Sequence, residues 1–189
     1  MTAGIPSHLG GHCNVTHVDR GALAFLVEYL GVRTFLDIGC GPGGMLDEAR
    51  RLGLEPVGID GDPRVLRSGI VEHDFTAGRE ESLGGPFDLG WSVEFLEHVE
   101  EMYLPNVLDT IRKCKYLVMT AAPPGKPGYH HVNCQPACYW IEAMQRLGMQ
   151  VCLTATCWLR QRSTMAREFM RETGLVFAAA ASKKAVWTP

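Results

Sequence analysis

The 189-residue sequence lacks the long apolar runs and the leader features that mark membrane and secreted proteins. No run approaches the roughly 18 apolar residues of a membrane helix, and the stretch Ala22–Leu30 is interrupted by Glu28. The first residues lack the basic and apolar regions of a signal peptide. A basic excess is also missing, because 18 Lys and Arg oppose 21 Asp and Glu. The net charge of −3 therefore gives no general field that would attract nucleic acid or an anionic membrane.

The sequence also has no paired cysteine pattern, linker, internal repeat or low-complexity tract. Its seven cysteines are an odd number, and a chain of this size does not need disulfides to fold. We therefore expect a cytoplasmic protein with reduced thiols. Hydrophobic residues make up 46% and charged residues 21%, which is typical of one globular domain over residues 1–189. Residues 1–16, rich in Gly, His, Pro and Ser, are predicted to form an N-terminal arm.

Strand-like and helix-like segments alternate along most of the chain. Asp19 is placed to cap a first helix, which Gly31 ends. The predicted strands are Thr34–Ile38, Pro56–Asp60, Ile70–Val71, Phe87–Trp91 and Tyr116–Thr120. The further predicted helices are Gly43–Leu52, one starting near Asp62-Pro63, Tyr103–Lys113 and Pro136–Leu147. Two β-rich segments follow, Gln150–Leu159 and Leu175–Ala180. This alternation predicts right-handed βαβ units and a doubly wound, mostly parallel sheet.

A glycine-rich segment, Asp37-Ile-Gly-Cys-Gly-Pro-Gly-Gly44, lies between the first predicted strand and the next helix. Glycines allow a tight turn and a close approach to a ligand, and the helix N-terminus offers free N–H groups. Three of the glycines fit the dinucleotide-binding spacing, and Asp60 follows 21 residues after Gly39. The Asp37 carboxylate, however, would lie beside a pyrophosphate and repel it. It favours a ligand that carries an ammonium or sulfonium and no phosphate.

The chain resembles the class I S-adenosylmethionine-dependent methyltransferases in four segments, which follow in the order and approximate spacing of that family. These segments are Asp37–Gly43, Val57–Asp60, His73-Asp74-Phe75 and Phe87–Val99. Together they cover roughly residues 34–99. The resemblance implies a Rossmann-like α/β fold with seven strands, the last of them antiparallel. It also implies S-adenosyl-L-methionine as the cofactor.

The family pattern implies cofactor-binding roles for the matching positions. The loop glycines would pack under the methionine part of the cofactor, with Asp37 near its amino group. Asp60 would accept both ribose hydroxyls, Asp74 would meet the adenine amino group, and Phe75 would lie beside the ring. Alternatively, Asp74 caps a helix or turn and Phe75 belongs to the core. The cofactor-binding residues implied are Asp37, Gly39, Cys40, Gly41, Gly43, Asp60, Gly61, Asp74 and Phe75, with Trp91 and Ser92 at the reacting end.

Two carboxylates and a histidine follow the fourth predicted strand, in Glu94-Phe-Leu-Glu97-His98. If this segment is helical, the three side chains share one face. His131 follows the fifth strand and would reach the same rim of the sheet. Oxygen and imidazole ligands suit Mg²⁺, Mn²⁺ or Fe²⁺ better than a structural zinc. The predicted metal ligands are therefore Glu94, Glu97, His98 and His131.

This set resembles the metal site of the small-RNA 3′-end 2′-O-methyltransferases, which combine a Glu-x-x-Glu-His run with a later histidine. It is also similar to a run in the ubiquinone-pathway O-methyltransferases. Many metal-free class I methyltransferases carry such a run, in which a glutamate orders the loop, so a structural role is the alternative. His131 could equally act as a general base, bind the accepting hydroxyl, or be a loop histidine bonded to backbone.

These patterns predict a methyltransferase and favour O-methylation over N- or C-methylation. The predicted catalytic residues are His131, His98 and Glu94, which would remove a proton from the acceptor or hold a metal that lowers its pKa. The acceptor is expected to be a small molecule or RNA, recognised by the arm, by residues 123–133 and by the C-terminal arginines. The alternatives are an NAD-binding oxidoreductase that uses the same glycines and a non-catalytic S-adenosylmethionine-binding protein. No pattern in the sequence indicates an oligomeric state.

Overall fold

The computed structural model describes residues 6–180, which form an α/β fold around a seven-stranded sheet. The strands are β1 (Thr34–Ile38), β2 (Glu55–Asp60), β3 (Ile70–Glu72), β4 (Phe87–Ser92), β5 (Cys114–Met119), β6 (Met149–Val151) and β7 (Leu175–Ala179). The helices are α1 (Arg20–Leu30), α2 (Gly44–Arg51), α3 (Leu104–Ile111), α4 (Ala137–Arg146), α5 (Leu153–Arg162) and α6 (Phe169–Thr173). No helix in this range has the length and apolarity needed to cross a lipid bilayer.

The strand order is β3-β2-β1-β4-β5-β7-β6, and β7 runs antiparallel to both of its neighbours. The predicted doubly wound, mostly parallel sheet with an antiparallel last strand is therefore confirmed. Both faces are buried: Phe35 packs into the core on one face, and Leu36 and Ile38 pack into the core on the other. The winding direction reverses between β1 and β4, which leaves a crevice at their carboxyl ends. Asp37 and Trp91 are paired across these two strands.

Helix α1 begins and ends where the sequence predicts. The Asp19 carboxylate accepts the N–H of Ala22 at 3.0 Å, and Gly31 ends the helix in a left-handed conformation with φ of 64°. The same carboxylate also accepts the Ser163 hydroxyl and the Thr164 N–H. Asp19 is fully buried. It therefore holds the start of α1 against the connection between α5 and α6.

Replacing Asp19 by alanine is expected to lower the free energy of unfolding by about 2 to 4 kcal/mol, because a helix cap and two hydrogen bonds to a buried carboxylate are lost together. Urea denaturation measures the change. Glu28→Ala, an exposed position on the same helix, is the control and is expected to stay within about 0.5 kcal/mol of the parent. Equal stability of the two variants would contradict this role for Asp19.

The prediction of a helix starting near Asp62-Pro63 is wrong. The segment forms a single 3-10 turn, Pro63–Val65. Leu66, which follows the turn, has an extended backbone with ψ of 125°, and β3 already begins at Ile70, so too few residues remain for a helix.

The β-rich prediction for Gln150–Leu159 is also wrong over most of its length. Strand β6 ends at Val151, and α5 begins at Leu153. Ala155 and Leu159, four residues apart, lie on the buried face of α5, which packs against α1. Burial of this face overrides the strand preference of the β-branched residues in the segment. The other predicted strands and helices are present, with ends that differ by one or two residues, whereas α6 was not predicted.

Candidate active site

The carboxyl ends of β1, β2 and β4 border a cavity of about 280 Å³. Seven of the predicted cofactor-binding residues line this cavity: Asp37, Gly39, Cys40, Gly41, Asp60, Gly61 and Trp91. From the predicted catalytic set, it is lined by Glu94, His98 and His131. A second cavity of about 50 Å³ shares Gly61 and His98 with the first and is lined by Asp74 and Phe75. Most of the predicted residues thus meet at one edge of the sheet.

Gly43 and Ser92 line neither cavity. The Gly43 carbonyl accepts a hydrogen bond from Arg67, and the Arg67 guanidinium lies where a side chain at Gly43 would extend. Ser92 is fully buried, and its carbonyl accepts the Thr120 N–H. In this structure both residues support the walls of the crevice.

The glycine loop is held against β2 by its backbone. The N–H groups of Gly39 and Cys40 both donate to the Ile59 carbonyl, at 2.9 and 3.1 Å. Gly39 has a left-handed φ of 75°, and a Cβ there would lie 2.2 Å from the Phe95 ring. Only glycine therefore fits at this position. Cys40 packs against Gly58, and burial raises the pKa of its thiol, so it is a space-filling residue and not a nucleophile.

Asp60 has two unused acceptor positions. Its Oδ2 accepts the Gly41 N–H at 2.8 Å, and its Oδ1 accepts the Asp62 N–H at 2.9 Å. A carboxylate offers about four lone-pair positions, so one is left on each oxygen. Two acceptors on adjacent oxygens match two neighbouring hydroxyl groups, which fits the ribose diol implied by the family resemblance.

Asp37 is a carboxyl that is only 4% exposed. Burial, followed by the negative charge of Asp60, raises the pKa of Asp37 to about 8. A cation beside this group would favour its ionised form, because the attraction would offset the lost solvation. This part of the cavity therefore favours a ligand with a positively charged group.

Asp74 caps a 3-10 turn, Phe75–Ala77, and also lines the smaller cavity. Its Oδ1 accepts both the N–H and the hydroxyl of Thr76, and its Oδ2 lies 2.8 Å from Nε2 of His8. Burial opposes ionisation, but these hydrogen bonds outweigh it and lower the pKa of Asp74. Phe75 is buried and meets the His73 ring edge to face. The cap expected as the alternative is present, and one acceptor position on Oδ2 is left for a ligand.

The helix considered across Glu94–His98 is not formed. A 3-10 turn covers Leu96–His98, and Glu94 precedes it with a left-handed φ of 51°. The three side chains consequently do not share a helical face. Instead, one ligand atom from each of Glu97, His98 and His131 lies within 4.8 Å of the other two, a group that does not include Glu94 among the residues described.

Glu94, which is half-buried, and Glu97, which is fully buried, are neighbouring carboxyls. Glu94 accepts the Thr120 hydroxyl at 2.8 Å, and Glu97 accepts the Ala122 N–H at 3.0 Å. Burial raises the pKa of both groups, and the charge of Glu94 raises the pKa of Glu97 further. The Oε2 atom of Glu97 is buried and has no hydrogen-bond partner within residues 6–180. A cation at this atom would satisfy it and would stabilise the ionised carboxylate against burial and the Glu94 charge.

The two histidines of the cluster have different roles in the hydrogen-bond network. Their ring centroids are 5.0 Å apart. Burial, followed by the nearby His131, lowers the pKa of His98 to about 4, so its imidazole is neutral at pH 7. Nδ1 of His131 lies 2.9 Å from the Lys126 carbonyl. Because a carbonyl can only accept, Nδ1 carries the proton and Nε2 has a lone pair to bind a cation or take up a proton.

Several residues of the main cavity wall were not named as site residues from the sequence, although the arm and residues 123–133 were expected to recognise the acceptor. Eight of the described residues 6–17 line it, together with Phe95, Tyr129 and Phe169. The sequence patterns around these residues do not by themselves identify them as part of a ligand cavity. The N-terminal arm is rich in histidine and glycine, and Tyr129 stands beside His130-His131. Thr120, which binds Glu94, was marked by its position at the end of a predicted strand.

Solved methyltransferase structures share this fold. A TehB-like S-adenosylmethionine-dependent methyltransferase from Corynebacterium glutamicum has 17% identity and a TM-score of 0.59, over 84% of this chain and 87% of that one. The magnesium protoporphyrin IX methyltransferase of Synechocystis PCC 6803 with bound SAH has 17% identity and a TM-score of 0.56, over 84% and 80%. The methyltransferase domain of bacterial CtHen1 has 14% identity and a TM-score of 0.60, over 85% and 96%.

A family model described as a methyltransferase domain matches residues 17–177, which is most of the chain. No curated protein matches the sequence. The matched range contains the glycine loop, Asp60 and the cluster of Glu97, His98 and His131. The match favours methyl transfer over the oxidoreductase alternative. The chain therefore belongs to this methyltransferase family, among the class I S-adenosylmethionine-dependent enzymes.

Proposed function

We propose that this methyltransferase transfers the methyl group to a hydroxyl oxygen, on a small molecule or RNA, with a divalent cation held by Glu97, His98 and His131. The observation that carries the proposal is the convergence of three ligand atoms within 4.8 Å beside the cofactor cavity. A hydroxyl is a weak nucleophile until its proton is removed. The cluster offers the groups for that task, and no comparable group is needed to methylate a free amine.

The cofactor-binding residues are part of the proposal. S-adenosylmethionine, when bound, supplies the methyl group as part of a sulfonium cation. Asp60 accepts two hydroxyl groups at its free positions, and Asp37 attracts a positively charged group at the end of β1. Asp74 offers its remaining acceptor position to an amino group, with Phe75 beside it. Trp91 and Phe95 line the cavity and exclude water from the reacting end.

The affinity for S-adenosylhomocysteine, which carries an ammonium group, is expected to rise with pH below about 8. The empty site holds a proton on Asp37 until its pKa of about 8 is reached. Binding must expel this proton, because a neutral carboxyl attracts an ammonium less than a carboxylate does. The affinity should therefore increase by up to about ten-fold per pH unit and level off once Asp37 is ionised. Calorimetric titration at about pH 6, 7 and 8 measures this dependence.

Asp37→Asn is the control for the pH dependence, and its weaker affinity should not change with pH. The raised pKa has a second consequence. The folded state holds this proton more tightly than the unfolded chain, so Asp37 lowers the stability of the cofactor-free protein as pH rises from about 4 to about 8. Asp37→Asn should remove this contribution in denaturant unfolding. An affinity of the parent protein that does not vary with pH would contradict the role of Asp37.

Where no cation is bound, the proton of the acceptor hydroxyl passes to His131 in this proposal; a cation held by His131 would occupy the same lone pair, and the Glu94 carboxylate at the cavity wall would then take the proton. Nε2 of His131 is the free ring nitrogen, because Nδ1 is committed to the Lys126 carbonyl. Neutral His98 stands 5.0 Å away between ring centroids and orients the hydroxyl or shares the proton. Glu94, fixed by Thr120, lines the cavity beside them and stabilises the positive charge that develops on His131.

The donor set fits a divalent cation. It combines one carboxylate with two imidazole nitrogens, which suits Mg²⁺, Mn²⁺ or Fe²⁺. The orphaned Oε2 of Glu97 and the neutral state of His98 are what a ligand site requires. When bound, such a cation would lower the pKa of the acceptor hydroxyl. Glu94 contacts Glu97 from outside the group and would orient it.

Transfer of labelled methyl groups tests the proposed reaction. The purified protein is incubated with methyl-labelled S-adenosylmethionine and with separate fractions of small metabolites, RNA, DNA and protein. Label is expected in a small-molecule or RNA fraction, as a methyl ether, and should be reduced by EDTA. Label found in an amine, or no transfer although the cofactor binds, would overturn O-methylation. Binding of NADH without binding of S-adenosylmethionine would overturn the cofactor assignment.

The cysteines and the C-terminal arginines bear on the location and on the acceptor class. All seven cysteines are free thiols, which supports a reducing, cytoplasmic location. Of the C-terminal arginines, Arg160 and Arg171 are bound to backbone carbonyls, and Arg171 also pairs with Glu168. Arg162 and Arg167 are the ones left to meet a phosphate-bearing acceptor such as RNA. His17 lines the cavity, and its pKa is lowered by burial and, to a smaller extent, by the positive charge of Arg167. Arg167 therefore lies close to the cavity wall.

A further inference from the structure

The segment of residues 6–16, called here the arm, follows a defined path over the carboxyl edge of the sheet. Three backbone hydrogen bonds fold it into successive turns, from Leu9 to Pro6, from Cys13 to Gly10 and from Val15 to His12. It contributes no strand to the sheet. Its position must therefore be set by side-chain contacts to the rest of the chain.

These contacts are made to the residues that surround the cofactor cavity. Nε2 of His12 lies 3.1 Å from Oδ2 of Asp62, and Nε2 of His8 lies 2.8 Å from Oδ2 of Asp74. The Thr16 hydroxyl accepts the N–H of Gly44, at the start of α2, at 3.0 Å. Asp62 is fully buried, and its hydrogen bonds to Arg64 lower its pKa to about 2. It is thus a permanent negative charge to which His12 is bound.

The arm also packs directly on the glycines of the crevice. A Cβ at Gly61 would lie 2.8 Å from a methyl group of Leu9, and one at Gly41 would lie 3.2 Å from Cβ of His12. The main cavity is lined by residues of the arm together with Asp37 and Asp60. A ligand held by these carboxylates would be covered by the arm.

The far side of the arm reaches the acceptor end of the cavity. A Cβ at Gly11 would lie 3.2 Å from the Tyr129 ring and 3.6 Å from the His98 ring. The Tyr129 hydroxyl donates to the Leu9 carbonyl at 3.3 Å. One short segment therefore contacts both the cofactor half and the histidine cluster.

We propose that the arm is part of the cofactor site. Resting on the function proposed above, it covers the adenosine part of S-adenosylmethionine through Leu9 and His12. His8 shares Oδ2 of Asp74 with the amino group of the purine. Because the arm covers the glycines of the crevice, its detachment from Asp62 and Asp74 opens this part of the cavity for the cofactor to exchange. The arm thus sets how long S-adenosylhomocysteine stays bound after transfer.

The test compares the parent protein with His8→Ala, His12→Ala and the double variant, with Ser7→Ala as a matched control. Ser7 is an exposed arm residue that lines neither cavity. Stopped-flow tryptophan fluorescence, with Trp91 in the cavity wall, follows the dissociation of S-adenosylhomocysteine. Hydrogen exchange of the arm amides in the parent protein, with and without S-adenosylhomocysteine, needs no variant.

The double variant is expected to release S-adenosylhomocysteine at least about ten-fold faster than the parent, since two charge-assisted hydrogen bonds are lost. Ser7→Ala should match the parent. The ligand should slow the exchange of the Leu9, Cys13 and Val15 amides. Parent-like dissociation from the double variant, or arm exchange that the ligand does not change, would overturn the role of the arm while Asp60→Ala still weakens binding. If the parent itself fails to bind S-adenosylhomocysteine, the proposed function is overturned together with this inference.

Discussion

Replacing Asp60 by alanine is expected to weaken the binding of S-adenosylhomocysteine at least about 100-fold, or about 2.7 kcal/mol. The carboxylate has one free acceptor position on each oxygen, and hydrogen bonds to a charged group contribute about 1.5 to 3 kcal/mol each. The substitution also frees the N–H groups of Gly41 and Asp62, which hold the glycine loop and the following turn in place. Isothermal titration calorimetry measures the affinity.

A ligand lacking one hydroxyl separates direct contact from loss of loop structure. The parent protein should bind the 2′-deoxy form of S-adenosylhomocysteine about ten-fold or more weaker than the normal ligand. Asp60→Ala should bind both ligands equally, because the partner of the hydroxyl is gone. Asp109→Ala, a partly exposed carboxylate of α3 outside both cavities, is the control. Equal binding of the two ligands by the parent protein would show that Asp60 acts only on the loop.

The part of the site built by local backbone geometry could be predicted from the sequence. The Asp37 loop and Asp60 each stand at the end of a strand pattern, and parallel strands bring their carboxyl ends to one edge of the sheet. Both ends of α1 could also be predicted from the local sequence, because Asp19 is a cap and Gly31 a stop at the two ends of an apolar repeat. Such features need only the residues within one or two turns of them.

The remaining part depends on contacts that are distant in sequence. His8 meets Asp74 across 66 positions and His12 meets Asp62 across 50, and nothing in the arm indicates those partners. The left-handed Glu94 is another case. Its N–H and its carboxylate both bind the hydroxyl of Thr120, on the neighbouring strand end, and this double contact fixes the conformation that breaks the expected helix. Three of the four predicted ligands, Glu97, His98 and His131, therefore form the cluster, and Glu94 does not.

Replacing Glu97 by glutamine is expected to abolish the binding of Mn²⁺ and to lower methyl transfer at least about 100-fold. Glu97 is the one carboxylate in the group of three, and its Oε2 has no other partner in the part of the chain described. Loss of supporting residues around metal ligands costs about 10- to 100-fold, so loss of the charged ligand should cost more. Electron paramagnetic resonance of added Mn²⁺ gives the affinity, and transfer of labelled methyl groups gives the turnover.

The same substitution should leave the metal-free protein folded, which makes the result interpretable. Burial, followed by the charge of Glu94, raises the pKa of Glu97, so the neutral amide replaces a carboxyl that is readily protonated there. Thermal unfolding without metal should therefore be unchanged, and Glu81→Gln, an exposed position, serves as the matched control. If Glu97→Gln folds normally and retains both Mn²⁺ binding and turnover, the cluster is structural. If EDTA leaves the turnover of the parent unchanged while His131→Ala abolishes it, the proton transfer requires His131 and no cation.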